Sequence, residues 1–159
     1  MKHEIYITNS PLQTKNLAKK LAREILNCFS TKKAVVIGLV GDLGGGKTTF
    51  LQGFARGLGI RQKILSPTFI IMKKFLISLL APRRVDSQFL NFYHFDCYRI
   101  QKPKEILDLE FKEIIAHPQN IVAIEWADRI EKILPKNSLI LKFKFLSQRK
   151  RKIKLEIKK

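Results

Sequence analysis

Residues 41–48 read GDLGGGKT, immediately after the apolar run AVVIGLV of residues 34–40. This is G-x-x-x-x-G-K-[ST], a phosphate-binding loop in the context such a loop needs. The run before it is short, branched and apolar, which suits a strand buried on both faces. From Lys47 to about Leu58, Phe50, Phe54 and Leu58 fall on one helical face, and Gly59 stops the helix. A strand, a glycine turn and a helix in that order are the context the motif requires and suit an α/β fold. Backbone N–H groups must converge on phosphate oxygens, so Gly41, Gly44, Gly45 and Gly46 supply close approach and unusual backbone angles. Asp42 and Leu43 complete the loop. Lys47 places a point charge on the β- and γ-phosphates, the Thr48 hydroxyl suits Mg²⁺, and Thr49 follows on the helix. The helix directs its N-terminal dipole at the anion.

The rest of the chain fits one domain, 1–159, with 45% hydrophobic residues to form a core. Residues 10–28 read as an amphipathic helix carrying Leu17, Leu21 and Ile25, with Ser10 as N-cap, Pro11 at the first position and Gln13 completing a capping box. A strand is expected over Phe89–Phe95, a helix over about 103–116 started by Pro103, and a buried strand over Ile121–Trp126. The C-terminus alternates through Leu139, Leu141, Phe143 and Phe145, then Ile153, Leu155 and Ile157. That pattern predicts a hairpin around Ser147-Gln148, with Arg149–Lys154 as a solvated basic strand face. No apolar run is long enough for a membrane helix, since Lys73 and Lys74 break the longest one. No secretory leader is evident, and Cys28 and Cys97 have no metal spacing, so a cytoplasmic location is expected.

The formal net charge is +18, from 31 Lys+Arg against 13 Asp+Glu. Such a field attracts polyanions. Yet 22 of the cations are Lys, alongside 20 Ile, and both residues are spelled by A/T-rich codons, so composition is the competing explanation.

A phosphate loop needs metal- and water-holding carboxylates on neighbouring strands. Glu125 ends the predicted strand 121–126, and Asp96 stands in YHFDCYR after the strand before it. Either suits Mg²⁺ or the attacking water. No N-K-x-D motif is present, so adenine is the expected base.

GDLGGGKTTF (41–50), SPTF (66–69), HFDCYR (94–99) and IEWA (124–127) occur in this order and at suitable spacing. The set resembles the TsaE (YjeE) family over nearly the whole chain. The resemblance implies a P-loop mixed sheet with a parallel core, antiparallel flanks and helices on its faces. It implies a weak Mg-dependent ATPase of tRNA threonylcarbamoyladenosine biosynthesis, with ATP and Mg²⁺ as ligands. It also implies TsaD-like and TsaB-like partners, with tRNA contacted indirectly and no membrane. It gives metal roles to Thr48 and Glu125 and a hydrolytic role to Asp96, alongside Lys47 in the loop. It places Ser66, Pro67 and Thr68 in a switch near the γ-phosphate, and Thr14 beside the base. A basic residue of the terminal hairpin reaches the nucleotide, with Arg149 aligning best and Arg151 close.

Some positions depart from the family pattern. The segment after SPTF is long and basic, Glu110 stands where a glycine is usual, and Gly45 replaces the more frequent alanine or serine. Trp126 either touches the nucleotide or packs. His94 is expected to be structural, while Tyr98 and Arg99 anchor their turn. Two other classes fit a phosphate loop: a small-molecule kinase using Asp96 as base, and a basic nucleic-acid-binding ATPase acting alone. The first lacks an arginine-rich lid and the second an RNA-binding module.

Overall fold

The computed structural model describes residues 4–28, 31–65, 70–78 and 87–159. The SPTF segment, with Ser66, Pro67 and Thr68, lies outside the described residues, as do residues 79–86 of the long insertion. Seven strands form one sheet: β1 (Glu4–Thr8), β2 (Val35–Val40), β3 (Met72–Leu76), β4 (Asn91–Asp96), β5 (Asn120–Glu125), β6 (Leu139–Phe145) and β7 (Arg151–Ile157). Their order is β1-β7-β6-β2-β5-β4-β3. The central pairs β6–β2, β2–β5 and β5–β4 are parallel, and the outer pairs β1–β7, β7–β6 and β4–β3 are antiparallel. The fold is the mixed P-loop sheet expected from the sequence.

Two long helices, α1 (Pro11–Cys28) and α2 (Lys47–Gly57), pack on one face. Their core holds Ile25, Leu51, Phe50, Phe54 and Phe92, all buried, with Phe50 edge-on to Phe143 at 5.6 Å and Phe54 against Phe92 at 5.8 Å. Each such ring buries a large apolar area, and their offset contacts add a modest further term. The helices approach closely because α2 presents glycine to α1. A Cβ on Gly53 would lie 2.3 Å from the Lys15 carbonyl oxygen, and one on Gly57 2.6 Å from the Ala22 Cβ.

The opposite face is covered by α3 (Lys104–Leu107), α4 (Phe111–Ala116) and a 3-10 segment, Ala127–Ile133, over Val36, Phe95, Val122 and Ile124. The single helix expected over 103–116 is therefore two short ones. The break is at Glu110, whose backbone is left-handed (φ 56). The chain keeps the turn that the usual glycine would make, at the strain a non-glycine residue carries there.

At the start of α1, the Ser10 hydroxyl accepts the Gln13 N–H at 3.1 Å. The Gln13 side chain reaches back to the N–H of Asn9, one residue before the N-cap, at 2.7 Å. Strand 121–126 ends one residue early, because Trp126 turns left-handed (φ 58). No helix among the described residues is long and apolar enough to cross a membrane.

Candidate functional site

The glycine-rich turn links the C-terminal end of β2 to α2, and the neighbouring strands β4 and β5 end beside it. A cleft of about 650 Å³ opens there. Loop residues Leu43, Gly44, Gly45, Gly46, Lys47, Thr48 and Thr49 line it, together with Asp96 and Glu125. Gly41 and Asp42 lie behind the lining and act through their carbonyls. Gly46 precedes α2 with φ 101, a left-handed angle open to glycine, and no side chain caps the helix. The first turn of α2 thus meets the cleft with its dipole and no competing cap. A Cβ at Gly45 would stand 2.8 Å from the Asp42 carbonyl oxygen, so in this loop glycine relieves a contact that alanine or serine would make.

The strand register makes Asp96 and Glu125 neighbours at the edge of the parallel sheet. Glu125 is 2% exposed and Asp96 9%. Burying a carboxylate is costly unless both oxygens are engaged. The Thr48 hydroxyl donates to Glu125 Oε2 at 2.9 Å, and His94 Nε2 lies 3.0 Å from Oε1. His94, itself 1% exposed, is thus held against the candidate metal ligand Glu125. Asp96 Oδ1 accepts the Tyr98 N–H at 2.9 Å, which fixes the turn after β4. The Cys97 N–H donates to the Glu125 carbonyl at 3.0 Å and ties the two strand ends together.

Lys47 is 4% exposed. Its ammonium donates to the carbonyls of Gly41 (2.6 Å) and Asp42 (2.9 Å) and sits 3.8 Å above the centre of the Trp126 ring. Burial lowers its pKa, against the opposing pull of Glu125, Asp128, Asp42 and Asp96. A partly desolvated cation facing a cleft is poised to gain from an anionic ligand. Trp126 both lines the cleft and packs, since Tyr98 lies 5.0 Å from it, ring to ring.

Thr14 lines the cleft from α1, with its hydroxyl 2.8 Å from that of Thr8 on β1. Of the two hairpin arginines, both line the cleft but only Arg151 is seen holding the loop. Its guanidinium donates to the Gly44 carbonyl at 3.0 Å and to Ser147 at 2.6 Å, while its Nε is buried with no partner. Arg149 is exposed at the rim. Sequence reasoning missed β1 and with it the Thr8–Thr14 contact. The alternation of Ile5 and Ile7 around Tyr6 was the available signal.

The residues present suit a magnesium nucleotide. A threonine hydroxyl and a carboxylate already share a hydrogen bond, both are hard oxygen donors, and the Lys47 ammonium lies in the lining of the same cleft. No group of three or more His, Cys, Asp or Glu among the described residues forms a metal cluster of its own.

A family model described as "Threonylcarbamoyl adenosine biosynthesis protein TsaE" matches residues 8–153. The tRNA threonylcarbamoyladenosine biosynthesis protein TsaE of Bacillus subtilis (strain 168) is 37% identical over 153 residues, spanning 96% of this chain and 85% of its own length. The protein of the same name from Rickettsia typhi is 32% identical over 148 residues, spanning 92% of this chain and 90% of its own. The crystal structure of Bacillus subtilis YdiB superposes with a TM-score of 0.71 at 33% identity, covering 98% of this chain and 86% of that one.

Proposed function

The chain belongs to the TsaE family of tRNA threonylcarbamoyladenosine biosynthesis proteins, and from that premise we propose that it is a Mg-dependent ATPase acting with TsaD-like and TsaB-like partners in the cytoplasm. The observation that carries the reading is the Thr48–Glu125 hydrogen bond at 2.9 Å on the floor of a cleft walled by the phosphate loop. In this reading Thr48 and Glu125 would hold the ion, which would supply neutralisation of phosphate charge.

The protein's own contribution follows from the geometry. Gly44–Gly46 and the first turn of α2 receive the phosphates. Lys47 leaves the carbonyls of Gly41 and Asp42, together with the Trp126 face, and turns to the β- and γ-oxygens. His94 keeps the Glu125 carboxylate in its rotamer. Asp96, beside Glu125, orients the attacking water. In this reading Thr14 lies beside the base, and the Trp126 ring lies against Lys47 where the phosphates bind. Arg151 holds the loop through Gly44, and Arg149 stands free at the rim to meet the nucleotide.

ATP hydrolysis measured on the chain alone, with tRNA, and with TsaD–TsaB tests this reading. Weak turnover alone that changes when TsaD–TsaB is added supports it. Equal and absent turnover in all three refutes the ATPase assignment.

A further inference from the structure

The two faces of the β6–β7 hairpin meet different surroundings. Leu141, Phe143, Ile153 and Leu155 turn into the core beneath α1 and α2. On the opposite face, the register sets Lys142 against Lys154 and Lys144 against Lys152. β1 extends both rows, with Ile5 beside Lys154 and Ile7 beside Lys152. Both isoleucines are exposed, at 58% and 46%. Among the described residues no helix covers this lattice, because the apolar cluster on that side reaches β6 only at Ile140.

Like charges directly opposite each other weaken a strand pair, and here two such pairs are consecutive. Glu156 answers one of them. Its carboxylate bridges Lys142 and Lys154, at 2.8 Å from the latter. Among the described residues no carboxylate pairs with Lys144 or Lys152. Side chains two residues apart on a strand recur at about 6.6 Å, and adjacent strands lie about 4.8 Å apart. The four lysines therefore stand in two cross-strand pairs on one face, which a repeating polyanion can meet at several points at once. Its cations are lysine point charges rather than planar guanidinium forks, so it suits phosphate charge rather than base edges. The same strands run into the hairpin turn whose Gln148 and Arg149 rim the nucleotide cleft.

We infer that this face, Lys142, Lys144, Lys152 and Lys154 flanked by Ile5 and Ile7, is a sequence-independent docking surface for the phosphate backbone of tRNA. The choice of tRNA as the occupant rests on the role proposed above, and it adds a direct contact where the family resemblance implies an indirect one. The polyanion chemistry rests on the lattice alone.

The test is anisotropy of a labelled, unmodified tRNA transcript with the full chain, without nucleotide, across a salt series. A quadruple variant, Lys142→Gln with Lys144→Gln, Lys152→Gln and Lys154→Gln, is compared with a control changing Lys102, Lys104, Lys112 and Lys132 to Gln. Both carry a formal charge of 18 − 4 = +14. The face variant is expected to bind at least tenfold more weakly, with its salt slope reduced by about 3, from ~0.7–0.9 per lost contact. The control should stay within about twofold, and Glu156→Gln should bind more tightly, because it removes the carboxylate on the face. Should the quadruple variant fail to fold, Lys144→Gln and Lys152→Gln singly should each lower the slope by about 1.

Equal losses in face variant and control would overturn the inference in favour of bulk charge. Intact tRNA binding with lost capture of the protein partners would overturn it in favour of an acidic protein contact. Wild-type chain that binds tRNA on this face yet hydrolyses no ATP would refute the ATPase reading and leave this one standing.

Discussion

Gly53→Ala should destabilise the protein even though alanine is the better helix former. Gly53 lies within α2, where replacing glycine with alanine favours the helix by about 1 kcal/mol. Packing opposes this. The new Cβ would stand 2.3 Å from the Lys15 carbonyl oxygen, 2.5 Å from its Cα and 2.7 Å from its carbonyl carbon. These are backbone atoms of α1, so no side chain can swing aside and the whole helix must back away. Overpacking of this kind costs about 1–3 kcal/mol, and a contact this short belongs at the upper end. The net expectation is a loss of about 1–2 kcal/mol, or roughly 2–8 °C in Tm for a chain of this size. Because α1 carries Thr14 and α2 carries the phosphate loop, nucleotide affinity should fall as well. Urea unfolding and a calorimetric melt read the first effect, and a fluorescent ATP analogue reads the second. A variant as stable as wild type, or more stable, would refute the claim that α1 and α2 meet through glycine.

The two cleft carboxylates should separate by assay. Glu125→Gln should raise the Mg²⁺ concentration needed for ATP binding, since an amide is a poorer ligand for a hard cation. Asp96→Asn should slow hydrolysis while leaving ADP affinity nearly unchanged, and the reverse pattern would exchange or remove their roles. Burial, with the charges of Asp96 and Asp128, pushes the Cys97 thiol up to about 12. In a Cys28→Ser background, iodoacetamide at a pH of about 9, where an ordinary thiol is largely ionised, should alkylate the urea-unfolded chain and spare the folded one. The folded state holds this proton longer than the unfolded state does. Stability from this group is therefore present below the ordinary thiol pKa and is lost as pH rises towards about 12. A urea midpoint that does not fall over that alkaline range would contradict the buried placement.

How much of this was legible in the sequence depends on how local each signal is. The phosphate loop was readable because its chemistry and both flanking elements lie within some twenty-five consecutive residues. Glu125 was readable as a strand-end carboxylate because IVAI before it is continuously apolar, and Asp96 because the run FLNFYHF before it is rich in aromatic residues. Their adjacency is a matter of strand order, which no local pattern contains. β1 was missed because an edge strand of five residues, paired only to the last strand of the chain, carries little periodicity. The helix expected over 103–116 was split at Glu110, a residue type that gives no warning of a left-handed angle. The contact of Arg151 with the phosphate loop was not legible. Both line the cleft, but the strand register turns Arg151 over Gly46 and onto the Gly44 carbonyl, a preference that spacing within RKRK does not encode. The basic string was expected to be a solvated strand face, and the register adds that its lysines stand opposite those of β6.

The central claim is that ATP phosphates bind where Lys47 now rests on Trp126, and the chain's single tryptophan reports on that directly. Titrating MgATP into the protein while recording tryptophan emission should give a saturable change as the ammonium leaves the ring. Lys47→Ala should weaken that binding roughly ten- to a hundredfold, since a charge-assisted bond is worth about 1.5–3 kcal/mol. Unchanged ATP affinity in Lys47→Ala would contradict the account.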